Sequence, residues 1–274
     1  MAWWGAFEQA YGVALAEAGK PEVVGISVAG QQHGMVTLDA DGKILRAAKL
    51  WNDTESAADA GWLVKQLAGG AAEWAAAVGS VPVAAFTITK LSWLHRTEPD
   101  AWSQLAHVLL PHDWLTYQLT GQLVTDRGDA SGTGYWSPLT GDYRWDLLGI
   151  IDSDRDWSQA VPRVASPTEV VGHWNGIPVA CGTGDNMGAA LGLGLLAGTA
   201  LISIGTSGTA YAVSDTPTAD PRGLVAGFAD ASGRYLPLAC TLNATKITDA
   251  VARLLCAGRD EFNALALAAP SGAG

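Results

Sequence analysis

Apolar residues recur along the chain with two periods. Between residues 3 and 18, Trp4, Phe7, Tyr11 and Leu15 repeat at helical spacing and the run stops at Gly19, which predicts an amphipathic helix. VVGISVAG (23–30) is a short apolar run ending in glycine, the pattern of a buried strand. MVTLDADGKILRA (35–47) predicts two strands joined at Asp41-Gly42, a favourable hairpin turn. Asp53 to Leu67 is spaced as a helix, with Asn52 or Asp53 as its N-cap. Residues 71–120 are mainly helical, with boundaries at Pro99 and Pro111.

Beyond that point the pattern loosens. Residues 121–136 predict a short strand and a polar turn, and 137–176 have too little periodicity for any regular element. IPVACG (177–182) is a strand and NMGAALGLGLLAG (186–198) a glycine-rich helix. ALISIG (200–205) and TAYAVS (209–214) form a hairpin around Thr206-Ser207-Gly208, followed by a strand at 236–242 and a helix at 243–255. The change from helix to β-rich pattern near 196–199 divides the chain into 1–196 and 197–274.

Composition narrows the class. With 274 residues the chain holds one large domain or two modest ones, and 49% hydrophobic against 16% charged residues supports a buried core. Sixteen Lys and Arg against 27 Asp and Glu give a net charge of −11, which argues against nucleic-acid or anionic-membrane partners. Cys181, Cys240 and Cys256 are too few and too far apart for a disulfide framework, and the five histidines are scattered, so no metal site is expected. No apolar run approaches the ~20 residues of a membrane span. The first residues carry Glu8 and Glu17 without a basic region, so they predict a helix, not a signal peptide, and a cytoplasmic location.

Candidate chemistry lies in four segments. In Gly182-Thr183-Gly184-Asp185-Asn186 a strand runs through two glycines into a helix. Such a turn admits a ligand close to the backbone and offers N–H groups to anions. Asp185 could take a proton from a hydroxyl there, or simply cap the helix. The same glycines loosely match a dinucleotide fingerprint. Asp185 would stand beside the pyrophosphate, however, and the next strand ends in Gly205-Thr206 without an acid for the ribose. Gly205, Thr206, Ser207 and Gly208 could form a nest for phosphate oxygens, or an ordinary turn. Gln32 and His33 between glycines suit a polyhydroxylated ligand, or a hydrogen-bonded loop. Trp51 beside Asn52 and Asp53 suits a sugar face, or a buried ring before a helix cap.

Taken in order, these segments resemble the FGGY carbohydrate kinase family. The resemblance rests on GQQHGMVTLD (30–39), LWNDTES (50–56), FTITKLSWLHRTEP (86–99), VLLPHDWLTYQLTG (108–121), TDRGDASGTGYW (125–136), GTGDNMGAALGLG (182–194), ISIGTSG (202–208) and LACTLNATKITDAVARLL (238–255). It spans nearly the whole chain. It implies an α/β protein with the actin-like ATPase (ribonuclease H-like) fold. Residues 1–196 would form the sugar-binding domain without its first strands, and 197–274 the beginning of the ATP-binding domain. It also implies transfer of the ATP γ-phosphate, with Mg²⁺, to the C5 hydroxyl of D-xylulose. On this basis Asp185 is the catalytic base, Gln32, His33, Asp185 and Asn186 bind the sugar, and Gly205, Thr206, Ser207 and Gly208 bind phosphate. D-xylulose and ATP are then the small-molecule partners, and the family allows a homodimer.

Three departures accompany the resemblance. No Asp-x-Gly-Thr-Ser phosphate loop precedes Gly30, and the chain ends at Gly274, before the family's glycine-rich adenosine segment. Glu55 stands where an arginine is usual. The chain is therefore expected to be an incomplete piece of a longer kinase with little or no activity of its own. Alternatives are another kinase of the family, acting on ribulose, gluconate or glycerol, and a non-catalytic sugar-binding remnant.

Overall fold

The apolar stripe at the start of the chain forms the helix Ala2–Glu17. Trp4, Phe7, Tyr11 and Leu15 are half-buried in it, along with Trp3. Trp4, Phe7 and Tyr11 converge edge-on upon Trp174, with ring centroids 6.4, 5.5 and 5.1 Å away. The computed structural model describes residues 2–270. Trp174 ends the strand Val170–Trp174, which pairs antiparallel with Ile177–Ala180. This strand falls inside the stretch expected to be irregular. There the elements (Trp136–Ser137, Asp142–Tyr143, Trp145–Gly149, Trp157–Ala160, Arg163–Val164) are two to five residues long, too short to show a period.

Residues 23–30 run alongside 177–184 in parallel, through Ile26↔Val179, Ala29↔Thr183 and Gly30↔Gly184. They are not buried as the sequence suggested; Val24 is 80% exposed. Among the described residues this segment has a partner on one side only, which leaves an open edge.

The turn at Asp41-Gly42 closes as expected, with Gly42 at φ 77° and the Asp39 N–H donating to the Lys43 carbonyl at 2.9 Å. The regular partner of Val36–Leu38, however, is His107–Leu109. That pairing buries Val36, Leu38, Leu109 and Trp114 together, a gain the local hairpin cannot match. The helix expected over 53–67 covers only Ala57–Val64 and starts after Ser56. Asp53 is no cap, because its carboxylate accepts from Lys49 Nζ and from the Glu55 N–H.

Helices Gly70–Val78, Thr87–Thr97, Pro99–Gln104 and Pro111–Thr120 follow, the last two opening on the prolines that mark the boundaries. After the helix Asp185–Gly192 the strands Ala200–Ile204, Gly208–Ala212, Tyr235–Thr241 and Ala226–Ala229 lie side by side, in that order, as one antiparallel sheet. The hairpin at 200–214 is present, but Ile204 pairs with Gly208, so the turn is Gly205-Thr206-Ser207 and Gly208 already belongs to the second strand. The strand Ala226–Ala229 and the helix Arg259–Ala268 were not foreseen.

The core does not stop at residue 196. Trp74, Val78 and Phe86 belong to one cluster with Tyr211, Phe228 and Leu236. The Gly227 N–H donates to the Gly79 carbonyl at 2.9 Å, and the Ala229 N–H to Ser131 Oγ at 2.9 Å. These contacts hold the wall of the cleft described next. Among the described residues, no helix is long and apolar enough to cross a membrane.

Candidate functional site

The strand Thr183–Gly184 leads directly into Asp185, the first residue of the helix Asp185–Gly192. Gly182 adopts φ 82°, and a Cβ there would sit 2.6 Å from the Val28 carbonyl oxygen, so only glycine fits the turn. Gly184 is the N-cap and Asp185 the first helical residue, which removes the reading of Asp185 as a mere cap. Asp185 Oδ1 accepts from the Asn186 N–H at 2.8 Å and from Asn186 Nδ2 at 3.1 Å. The second Asn186 donor reaches Gln32 Oε1 at 2.8 Å. A single amide thus ties the helix start to the loop at residues 31–34.

Gln32 is buried, and its Nε2 has no partner among the described residues. A buried donor left unpaired costs roughly 1–3 kcal/mol, so its presence beside a cleft marks a place for a ligand oxygen. His33 sits at φ 61°, in the left-handed region. Its ring is wedged between Phe86 and Phe228, with centroids 5.2 and 5.0 Å away.

These side chains face a cleft of about 430 Å³. Gln32, His33, Asp185 and Asn186 line one side, and Gly205 and Ser207 of the hairpin tip line another. Trp51 also lines it, as does Phe228, which the sequence reading did not single out. Thr206 and Gly208 lie outside the lining. The carbonyls of Thr206 and Gly205 accept from the N–H groups of Ala244 and Thr245, so the tip is braced by the start of the helix Thr245–Leu254.

Electrostatically the cleft is sparse. Asp185 is its one acidic residue, and neither lysine nor arginine lines it among the described residues. Protein packed around the inner side of Asp185 raises its pKa through desolvation, although the residue remains open to solvent. Such a carboxylate accepts a proton more readily than a fully hydrated one. Among the described residues no group of three or more His, Cys, Asp or Glu side chains could hold a metal ion by itself. Glu55 pairs with Lys49, whose Nζ also bonds Asp53 Oδ2 at 2.9 Å. The same ammonium lies 3.7 Å from the centre of the Trp93 ring.

Beneath the cleft lies a buried charged cluster that the sequence reading did not identify. His112 Nδ1 is 3.0 Å from Asp129 Oδ2, and its Nε2 is 3.0 Å from Asp113 Oδ1 and 3.5 Å from Asp126 Oδ1. Burial alone would lower the His112 pKa, but the three carboxylates outweigh it and push it up to about 10. Asp113, desolvated and only partly offset by His112, is pushed up to about 7. Asp129 falls to about 2, because hydrogen bonds and charge from His112 and His33 overcome its burial. His112-Asp113 and Asp126-Arg127-Gly128-Asp129 were visible as polar runs. Nothing in a linear pattern shows that residues 13 to 17 apart share one buried pocket.

Comparison with known proteins fits this geometry. The family model for the N-terminal domain of the FGGY family of carbohydrate kinases matches residues 1–192. A xylulose kinase of Streptomyces coelicolor is 51% identical over 269 residues, covering 94% of this chain and 54% of that protein. One from Haemophilus influenzae is 34% identical, covering 99% of this chain and 59% of its own length. Among solved structures, the xylulose kinase of Bifidobacterium adolescentis superposes with a TM-score of 0.87 at 37% identity, over 98% of this chain and 62% of that one. The chain therefore spans a little over half the length of these curated relatives. The mixed α/β architecture is the actin-like ATPase fold of those kinases. From residues 1–192 and from these relatives together, the chain belongs to the FGGY family of carbohydrate kinases.

Proposed function

We propose that this chain carries the sugar-binding part of an ATP-dependent kinase for D-xylulose, with Asp185 as the general base. The observation that carries the reading is convergence. Asp185, Asn186, Gln32 and His33, from segments about 150 residues apart in sequence, meet at one cleft whose far side is a glycine- and serine-tipped hairpin. Xylulose kinases supply the similar sequences and folds.

In this reading the unpaired Gln32 amide and the His33 ring meet sugar hydroxyls. Asp185 takes the proton of the C5 hydroxyl as its oxygen bonds to the γ-phosphorus of ATP and the bond to ADP breaks. Gly205 and Ser207 would approach the phosphates most closely, with Thr206 and Gly208 shaping the tip. A cleft without basic side chains needs another source of positive charge for the phosphates. Mg²⁺ held chiefly by the phosphate oxygens of the nucleotide would supply it.

The division into a sugar part (1–196) and a nucleotide part (197–274) belongs to the same proposal. The antiparallel sheet that begins at Ala200 supports it. The ATP requirement fits a cytoplasmic setting.

Titration calorimetry on the 274-residue chain tests the assignment. D-xylulose should bind, and Gln32→Ala should weaken it at least tenfold. Binding of glycerol or D-gluconate with no heat from D-xylulose would redirect the assignment to another kinase of the family.

A further inference from the structure

The left-handed backbone of His33 needs an explanation, because a non-glycine residue there costs on the order of 1 kcal/mol. Asp129 supplies it. Its Oδ1 accepts from the His33 main-chain N–H at 3.1 Å and lies 3.4 Å from His33 Nδ1. Its Oδ2 is engaged by His112 Nδ1 at 3.0 Å. His33 Nδ1 is buried without a well-formed hydrogen bond among the described residues, and the Asp129 carboxylate 3.4 Å away is the charged group beside it.

The same cluster reaches the catalytic turn. Asp126 Oδ2 accepts from Thr183 Oγ1 at 2.7 Å, two residues before Asp185. Asp126 and Asp129 are joined through the Asp129 N–H, which donates to Asp126 Oδ1 at 3.0 Å. The groups that face His33 and this cluster are Asp113, Asp126, Asp129 and His112, with Asp185 nearest on the cleft side.

We propose that Asp129, clamped by His112, is a positioning residue: it fixes the His33 backbone and keeps the ring proton on Nδ1, so that Nε2 meets the sugar as an acceptor. A carboxylate beside one ring nitrogen selects the tautomer that donates to it, and the other nitrogen is then the basic one. The sugar would offer a hydroxyl proton to Nε2. This inference rests on His33 facing the sugar, as in the proposed function, but its central claim concerns the free protein.

The test separates the two. In the ligand-free chain labelled with ¹⁵N-histidine, long-range ¹H–¹⁵N spectra should show His33 protonated at Nδ1; a ring protonated at Nε2 overturns the proposal without any variant. Asp129→Asn should weaken D-xylulose binding roughly tenfold, about 1.4 kcal/mol. In a His33→Asn background the same Asp129→Asn change should have no further effect, because it acts through the histidine. An equal loss in both backgrounds would assign Asp129 a merely structural role and sink the proposal. Should Asp129→Asn fail to fold, Asp129→Glu, which retains the acceptor, takes its place in the same cycle. Were the parent to bind no sugar at all, the functional reading would fail while the spectrum still decided the tautomer.

Discussion

Removing His112 should change both the stability of this protein and the way that stability depends on pH. The ring is fully buried against three carboxylates, Asp113, Asp126 and Asp129. His112→Gln keeps a polar group of similar reach but deletes the cation. Breaking a buried ion cluster by removing one member typically costs about 3–5 kcal/mol. Against the ~5–15 kcal/mol that holds a domain together, this is a large fraction, so the urea midpoint at pH 7 should fall markedly.

The sign of the pH dependence follows from proton counting. The folded pKa of His112 is raised from 6.5 to about 10, so the folded state keeps a proton that the unfolded chain releases. The linked stability is complete below pH 6.5 and is lost as pH rises towards 10, with a slope of up to about 1.4 kcal/mol per pH unit. Asp113, raised from 3.8 to about 7, holds its proton longer in the fold and gives the same downward slope between those values. Tryptophan fluorescence in urea at half-unit steps from pH 4 to 10 follows both. The parent should lose stability across that range, and His112→Gln should flatten the upper part of it. A parent curve level between pH 7 and 9.5, or a variant that keeps the full slope, would refute the assignment of a charged His112.

Other substitutions probe the site and its frame. Gly132→Ala would place a methyl group on the His33 ring, which Phe86 and Phe228 hold in place, so a loss of about 1–3 kcal/mol by thermal melting and a large drop in D-xylulose affinity are expected. Asp185→Asn should leave D-xylulose affinity by calorimetry within about threefold, while any sugar-dependent ADP release by the chain falls at least ~100-fold in a coupled assay. Trp174→Ala removes the ring on which Trp4, Phe7 and Tyr11 converge; amides of Ala2–Glu17 should exchange faster in hydrogen–deuterium measurements while those of Thr87–Thr97 stay protected.

Part of the candidate cleft's lining was legible in the sequence. Gln32, His33, Asp185 and Asn186 stand out because chemistry-bearing residues beside glycines at strand ends are local features. The cleft brings these four together. The hairpin tip was legible as a turn, but which of its residues face the cleft was not. Gly205 and Ser207 do, while Thr206 and Gly208 do not. The tip is also braced by the N–H groups of Ala244 and Thr245, contacts with no trace in the tetrapeptide itself.

The sequence by itself determined the amphipathic first helix, the hairpin at 200–214, the acidic balance and the order of motifs, because each is written in residues near one another along the chain. Tertiary structure alone decided that Val36–Leu38 takes His107–Leu109 as its regular partner, beyond the single bridge from Leu38 to Ile44 in its own hairpin arm. It also decided that Phe228 closes over His33, and that His112 shares a pocket with three aspartates. Burial and desolvation depend on which distant segments exclude water from a group. A linear pattern records only what each residue can do, not which neighbours it will have when the chain has folded.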